Sequence, residues 1–153
     1  LDDTSPYAIV VDTAVPPSAA KLHDALVAVW PRLAHRVKFR SEPIDDVVLE
    51  PSDVIVSCHA CGSLTDSVLD RATFVRARVA VLPCCHDASR CDTGGLTGWM
   101  NVALAVDATR AQRMRQFGYA VHTATIPDAI TPKNRLLIAI PRRHDDSQPD
   151  TDS

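Results

Sequence analysis

The distribution of glycine constrains this chain more than any other feature of its sequence. The chain contains five glycines, and the first of them is Gly62. A G-x-G-x-x-G turn or a P-loop requires glycine, because the backbone there approaches a phosphate closely or adopts a positive φ. The first 61 residues therefore cannot bind a nucleotide through a glycine-rich turn.

Short apolar runs alternate along the chain with segments whose apolar residues recur at helical spacing. Leu22, Leu26 and Val29 recur at intervals of four and three residues after Ser18, which predicts an amphipathic helix. Strands are predicted at 7–11, 37–39, 53–57, 79–82, 119–126 and 135–140, and helices are predicted to start at Ser18, Ser63 and Trp99. This order predicts an α/β three-layer sandwich with a mainly parallel sheet and a C-terminal antiparallel hairpin.

Three local patterns carry more specific expectations. Ser63 precedes Asp66 by three residues, which is the S/T-x-x-acid pattern of a helix start. The strand at 53–57 is apolar on both faces, which predicts a parallel strand covered from both sides. Arg110, Arg113 and Arg115 lie on the third predicted helix, where we expect a solvated face.

Length and charge set the domain organisation and exclude some functions. A length of 153 residues suits one domain, predicted at 1–141, with a disordered tail at 142–153. The net charge of −3 argues against nucleic-acid binding, which favours basic chains. No apolar run approaches the ~18 residues of a membrane span, and no signal-peptide pattern is present, so we expect a cytoplasmic protein. Because the chain starts at Leu1, we expect a processed chain or a piece of a longer one.

The five cysteines all lie between residues 58 and 91. Cys58 and Cys61 follow one predicted strand, and Cys84 and Cys85 follow the next, so both pairs should meet beyond the carboxyl ends of a parallel sheet. Three interpretations remain open: small thiols that line a pocket, a metal site, or thioredoxin-like redox chemistry. Cys84 and Cys85 would point to opposite sides of an extended backbone, which argues against their binding one ion.

Two segments resemble those of a known family. Residues 58–66 read C-H-A-C-G-S-L-T-D, and residues 81–86 read V-L-P-C-C-H. They resemble the H-A-C-G-x-x-T-D and P-C-C-[HY] segments of a family of Rossmann-type methyltransferase domains. That family includes the methyltransferase-like domain of glutathione S-transferase C-terminal domain-containing proteins. The resemblance covers about residues 9–141 and implies a Rossmann-like sheet with S-adenosylmethionine (SAM) as cofactor.

The resemblance also implies roles for individual residues. Asp12, at the end of the first predicted strand, would hold the ribose hydroxyls of SAM, and Asp45 or Asp46 would meet the adenine. The implied cofactor contacts are completed by Cys58, His59 and Ala60. The implied catalytic residues are Cys58, His59, Cys61 and His86, and the implied substrate-binding residues are Thr65, Asp66, Pro83, Cys84 and Cys85.

One departure from the family qualifies this expectation. The family's first strand and glycine-rich turn should lie before Asp12, where this chain has eleven residues and no glycine. We therefore expect this polypeptide alone to bind SAM weakly or not at all. The function expected is methyl transfer to an unidentified acceptor, or descent from an enzyme that performed it. The alternatives are a thiol-redox or metal-binding module and a non-catalytic interaction domain. A homo-oligomer or a separate N-terminal segment could complete the sheet.

Overall fold

The computed structural model describes residues 7–142, and its elements follow the predicted order. The predicted tail at 142–153 lies outside the described residues except for Arg142. The strands are β1 (Ala8–Asp12), β2 (Val37–Ser41), β3 (Val54–Cys58), β4 (Arg78–Leu82), β5 (Tyr119–Thr125) and β6 (Arg135–Pro141). The helices are α1 (Ser18–Val29), α2 (Ser63–Val75) and α3 (Val102–Gln116). None of the helices within residues 7–142 has the length and apolar character needed to cross a membrane.

The chain divides after Val48 into two compact units. In the first unit, β1 and β2 pair in parallel, with Asp12 opposite Ser41, and α1 connects them. Helix α1 ends at Val29, because Pro31 has no amide hydrogen to donate to the next helical turn. The expected helix is present, but its predicted apolar stripe is exposed, and Ala19 is its buried residue.

The second unit contains a four-stranded sheet in the order β3-β4-β6-β5. Strands β3 and β4 are parallel, whereas β6 runs antiparallel to both β4 and β5. The parallel pairs and the C-terminal antiparallel hairpin confirm the predicted α/β class. The hairpin forms because β5 and β6 are joined by a short connection, with a turn closed by the amide of Ile130 and the carbonyl oxygen of Pro127, which cannot span a parallel crossover.

The core of the second unit lies between this sheet and two helices on one of its faces. Val79 and Val81 of β4 and Leu69 of α2 are buried there. The hydroxyl of Tyr119, on β5, is buried and donates to the carbonyl oxygens of Ala72 (2.9 Å) and Ala77 (3.1 Å). Because Ala72 belongs to α2, these bonds anchor the helix to the edge of the sheet opposite β3.

The strand at 53–57 is expected to be covered on both faces, but the other face of the four-stranded sheet is exposed at β3. Val54 and Val56 of β3 are 59% and 67% exposed, and Ile140 of β6 on the same face is also exposed. Helices α2 and α3 both pack on the opposite face of this sheet, so these valines have no helix of this unit to pack against. An apolar run by itself does not show whether a strand is covered on one face or on both.

Helix α2 begins at Ser63 as predicted, whereas its cap and the start of α3 differ from the predictions. Gly62, with φ 56° and ψ −127°, is the N-cap of α2, and no side chain caps this helix, so the predicted capping pattern is wrong. Only glycine adopts this backbone conformation readily. Helix α3 starts at Val102 rather than Trp99, because the side-chain oxygen of Asn101 accepts the amide hydrogen of Leu104 at 3.0 Å.

Candidate functional site

The carboxyl ends of β3 and β4 form one rim, as expected for neighbouring parallel strands. Cys58 and Leu82, the last residues of these strands, are opposite one another. Beyond them, the amide of His59 donates to the carbonyl oxygen of Leu82 at 3.1 Å, and the amide of Gly62 donates to that of Cys85 at 3.3 Å. The two segments that resemble the methyltransferase family are therefore hydrogen-bonded to each other.

Three thiols converge at this rim, which we call the thiol cluster: Cys61, Cys84 and Cys85. The Sγ atoms of Cys61 and Cys84 are 3.4 Å apart, and those of Cys84 and Cys85 are 3.6 Å apart. All three sulfur atoms lie within 4.8 Å of one another. The expectation that Cys84 and Cys85 point apart is wrong, since their sulfur atoms are in contact; β4 ends at Leu82, before both residues.

The members of the thiol cluster differ in burial and acidity. Cys84 is buried, and Cys61 and Cys85 are exposed. Burial, followed by hydrogen bonds with Cys61 and Cys85, raises the pKa of Cys84 to about 12. Hydrogen bonds from Cys61 and Cys84 lower the pKa of the Cys85 thiol, and the positive charge of Lys133 acts in the same direction. Cys85 is therefore the thiolate that the other two thiols stabilise.

This difference predicts the order in which an alkylating reagent modifies two adjacent residues. In the reduced, metal-free protein at neutral pH, we expect iodoacetamide to modify Cys85 well before Cys84, because the thiolate is the nucleophile. The sign follows from the two pKa directions: the lowered pKa of Cys85 leaves it ionised at a lower pH than Cys84. Timed alkylation with peptide mass spectrometry measures the order, and simultaneous modification would contradict it.

His86, the last residue of the second family-like segment, pairs with an acid that sequence reasoning missed. Its nearly buried Nε2 lies 2.8 Å from Oδ1 of Asp107 on α3. The other carboxylate oxygen of Asp107 accepts from Arg135 Nε at 2.7 Å. A cleft of about 80 Å³ adjoins His86 and is lined in part by Pro83, Lys133 and Asn134. This volume is far below the roughly 300 Å³ at which ligand pockets begin, so the cleft accommodates only a small group.

Thr65 and Asp66 support the turn that precedes α2. Thr65 is buried, and its hydroxyl donates to the carbonyl oxygen of Ala60 at 2.7 Å. The carboxylate of Asp66 accepts two hydrogen bonds from Arg110, at 2.9 Å from Nε and 2.8 Å from Nη2. Nη2 of Arg110 also donates to the carbonyl oxygen of Gly62 at 2.9 Å. The predicted substrate contacts of Thr65 and Asp66 stay predictions, since the bonds seen here hold the turn before α2 in place.

Arg110 departs most from its sequence prediction among the residues that support the rim. We expected a solvated residue, but its side chain is only 2% exposed. Burial lowers the pKa of this guanidinium, whereas hydrogen bonding and the charge of Asp66 raise it, and the net shift is upward. One signal could have revealed its position: Val106, Arg110 and Met114 recur every four residues, and all three are buried on one face of α3. Arg115 is exposed, as predicted.

The backbone at the rim adopts a sparsely populated conformation. His59 has φ 62°, in the left-handed region that residues with a side chain rarely occupy. Such conformations cost of order 1–3 kcal/mol and persist where the surrounding structure enforces them, often at functional sites. Here the hydrogen bond from His59 to Leu82 enforces the turn.

The three acids expected to hold the cofactor lie in the first unit. Asp12 ends β1 and is exposed, and its carboxylate accepts a long hydrogen bond of 3.4 Å from the hydroxyl of Thr13. Asp45 and Asp46 are exposed in a short 3₁₀ turn, Ile44–Asp46, that follows β2. The amide of Glu42 donates to the carbonyl oxygen of Asp12 at 3.0 Å, so the segment leading to this turn is bonded to the end of β1.

Comparison with known proteins finds a similarity among solved structures. No protein-family model matches the chain, and no curated protein matches it. Among solved structures, the chain is similar to the crystal structure of an rRNA methylase from Streptococcus thermophilus, with 11% sequence identity and a TM-score of 0.49. The similarity covers 91% of this chain and 90% of that one.

Proposed function

We propose that this chain belongs to the methyltransferase-like proteins and acts in methyl transfer from SAM to a nucleophilic acceptor. One observation carries the proposal: the two segments that resemble the methyltransferase family are bonded into a single rim at the carboxyl ends of parallel strands. The bonds run from His59 to Leu82 and from Gly62 to Cys85. Ligands of open α/β sheets bind at this end of the strands.

The residues of the first unit fit the ribose of the proposed cofactor. Asp12 is exposed at the carboxyl end of β1, and its contact with the Thr13 hydroxyl is long. Its carboxylate therefore has the capacity to accept hydrogen bonds from two adjacent hydroxyls. When bound, SAM would supply an activated methyl group on a sulfonium. Asp45 and Asp46 would provide acceptors near the adenine.

At the rim, the proposed role of this chain is to orient an acceptor and to receive its proton. The carboxylate of Asp107 accepts the hydrogen of His86 Nε2, which would leave Nδ1 as the basic nitrogen. His86 would receive the proton that the acceptor loses when its lone pair takes the methyl group that bound SAM would supply. Proximity and alignment supply most of the acceleration in such a displacement.

The proposal is tested by measuring the binding of SAM to the full chain by titration calorimetry. We expect the wild-type protein to bind SAM weakly, because no glycine-rich turn precedes Asp12. We expect D12N to weaken this binding by about a further 30-fold, since charged hydrogen bonds contribute about 2 kcal/mol. The matched control is D24N, which removes another exposed acid of the same unit. D24N should bind SAM as the wild-type protein does.

Two results would contradict this proposal. Failure of the wild-type chain to bind SAM at any accessible concentration would remove the cofactor. Equal weakening by D12N and D24N would show a general charge effect rather than contact between Asp12 and the ribose.

A further inference from the structure

We propose that the thiol cluster of Cys61, Cys84 and Cys85 is a binding site for a soft metal cation, held by three thiolates with one coordination position open. Zinc is the first candidate, and monovalent copper shares the same preference for thiolate ligands. The site uses neither Cys58 nor a histidine. It does not depend on SAM binding, and its test has a separate readout.

The spacing of the three sulfur atoms suits a single ion. Thiolates bound to zinc at 2.3 Å in tetrahedral geometry lie about 3.8 Å from one another. The separations here are 3.4 Å between Cys61 and Cys84 and 3.6 Å between Cys84 and Cys85, and the third pair lies within 4.8 Å. Small side-chain rotations are therefore sufficient to place one ion among the three.

The backbone that carries the ligands is held in place from both sides. The amide of Gly62 bonds to the carbonyl oxygen of Cys85, and the carbonyl oxygen of Gly62 accepts from the buried Arg110. The carbonyl oxygen of Cys61 accepts the amide hydrogen of Leu64 in the first turn of α2. Ligands on a constrained backbone lose little conformational entropy when the metal binds, which favours affinity.

Burial and the number of thiols favour a metal over a disulfide. Cys84 lies at the base of the cluster, while Cys61 and Cys85 are exposed, so an ion can enter from solvent. A disulfide would use two sulfur atoms and leave the third thiol without a function. A three-thiolate site uses all of them, and the absence of oxygen ligands from the cluster disfavours magnesium and calcium.

The experiment uses the full chain, reduced and stripped of metal by chelation. Zn²⁺ and Cu⁺ are titrated separately in competition with a chelator of known affinity, and Mg²⁺ serves as a hard-cation control. Cd²⁺ provides a second readout through thiolate-to-metal charge-transfer absorption. We expect one Zn²⁺ or Cu⁺ per chain and no competition from Mg²⁺.

Two exposed ligands provide variants that should fold normally. We expect C61S and C85S each to weaken binding by more than about 100-fold, because loss of an outer-shell partner alone costs 10–100-fold. The matched control is C58S, which alters an exposed thiol three residues from Cys61 that is outside the cluster. Circular dichroism of each variant separates loss of a ligand from loss of the fold.

Three outcomes would overturn the assignment: no stoichiometric binding by the reduced wild-type chain, unchanged affinity in C61S and C85S, or a loss in C58S equal to theirs. Each can occur while SAM binding is intact, and SAM binding can fail while metal binding persists. The two proposals therefore fail independently.

Discussion

Replacing Arg110 with methionine is expected to lower the free energy of unfolding by about 3 kcal/mol, at the lower end of the 3–5 kcal/mol measured for broken buried ion pairs. Methionine keeps most of the aliphatic volume but removes every hydrogen-bond donor. The carboxylate of Asp66 then loses both of its bonds, and the carbonyl oxygen of Gly62 loses its partner. The lower end applies because Asp66 is partly exposed and regains some solvation.

Urea unfolding followed by circular dichroism measures this loss, with R115M as the matched control. Arg115 is on the same helix and is exposed, so R115M should change stability by less than about 0.5 kcal/mol. R110K should recover little, because an ammonium group cannot bind both carboxylate oxygens as a guanidinium does. A stability of R110M close to that of R115M would show that the buried ion pair does not hold α2 and α3 together.

Truncating Leu69 to alanine is expected to cost about 2–5 kcal/mol, the range measured for leucine truncations in protein cores. Leu69 is 0% exposed and lies on α2, on the face that packs against the sheet. The substitution removes buried methyl groups and leaves a cavity that its neighbours fill only in part. Because α2 carries the turn that presents Cys61, we also expect weaker metal binding once the helix loosens.

The matched control is L64A, in the first turn of the same helix. Leu64 is 46% exposed, so its truncation should change the free energy of unfolding by about 0.5 kcal/mol or less. The two variants change the same residue type in one helix and differ in burial. Equal losses in L69A and L64A would contradict the assignment of Leu69 to the core of the second unit.

The two family-like segments show how far reasoning from the sequence could reach. Their positions after consecutive apolar strands predicted that Cys61 and Cys84 would meet, and their sulfur atoms lie 3.4 Å apart. This prediction succeeded because it depends on one general property: neighbouring parallel strands end at the same edge of a sheet. The roles assigned to His59, Thr65 and Asp12 depend on ligands, and those roles stay predictions.

Other features depended on distances that no local pattern encodes. Arg110 and Asp66 are separated by 44 residues, far more than the three or four that separate partners on one helix. Their contact therefore arises only when α2 packs beside α3. The pairing of His86 with Asp107 has the same origin, across 21 residues. Charged residues on a helix are usually solvated, so their burial could not be inferred without the partner.

The sequence by itself determined the order of strands and helices, the α/β class, the C-terminal hairpin and the meeting of two cysteine segments at one rim. These follow from periodicity and chain direction, which are local properties. The tertiary structure alone decided which side chains converge. It turned Cys84 and Cys85 toward Cys61 after the strand ended at Leu82, buried Arg110 against Asp66, and left one face of β3 exposed. Such outcomes depend on packing between elements distant in sequence, where the cost of burying a polar group is offset only by its partner.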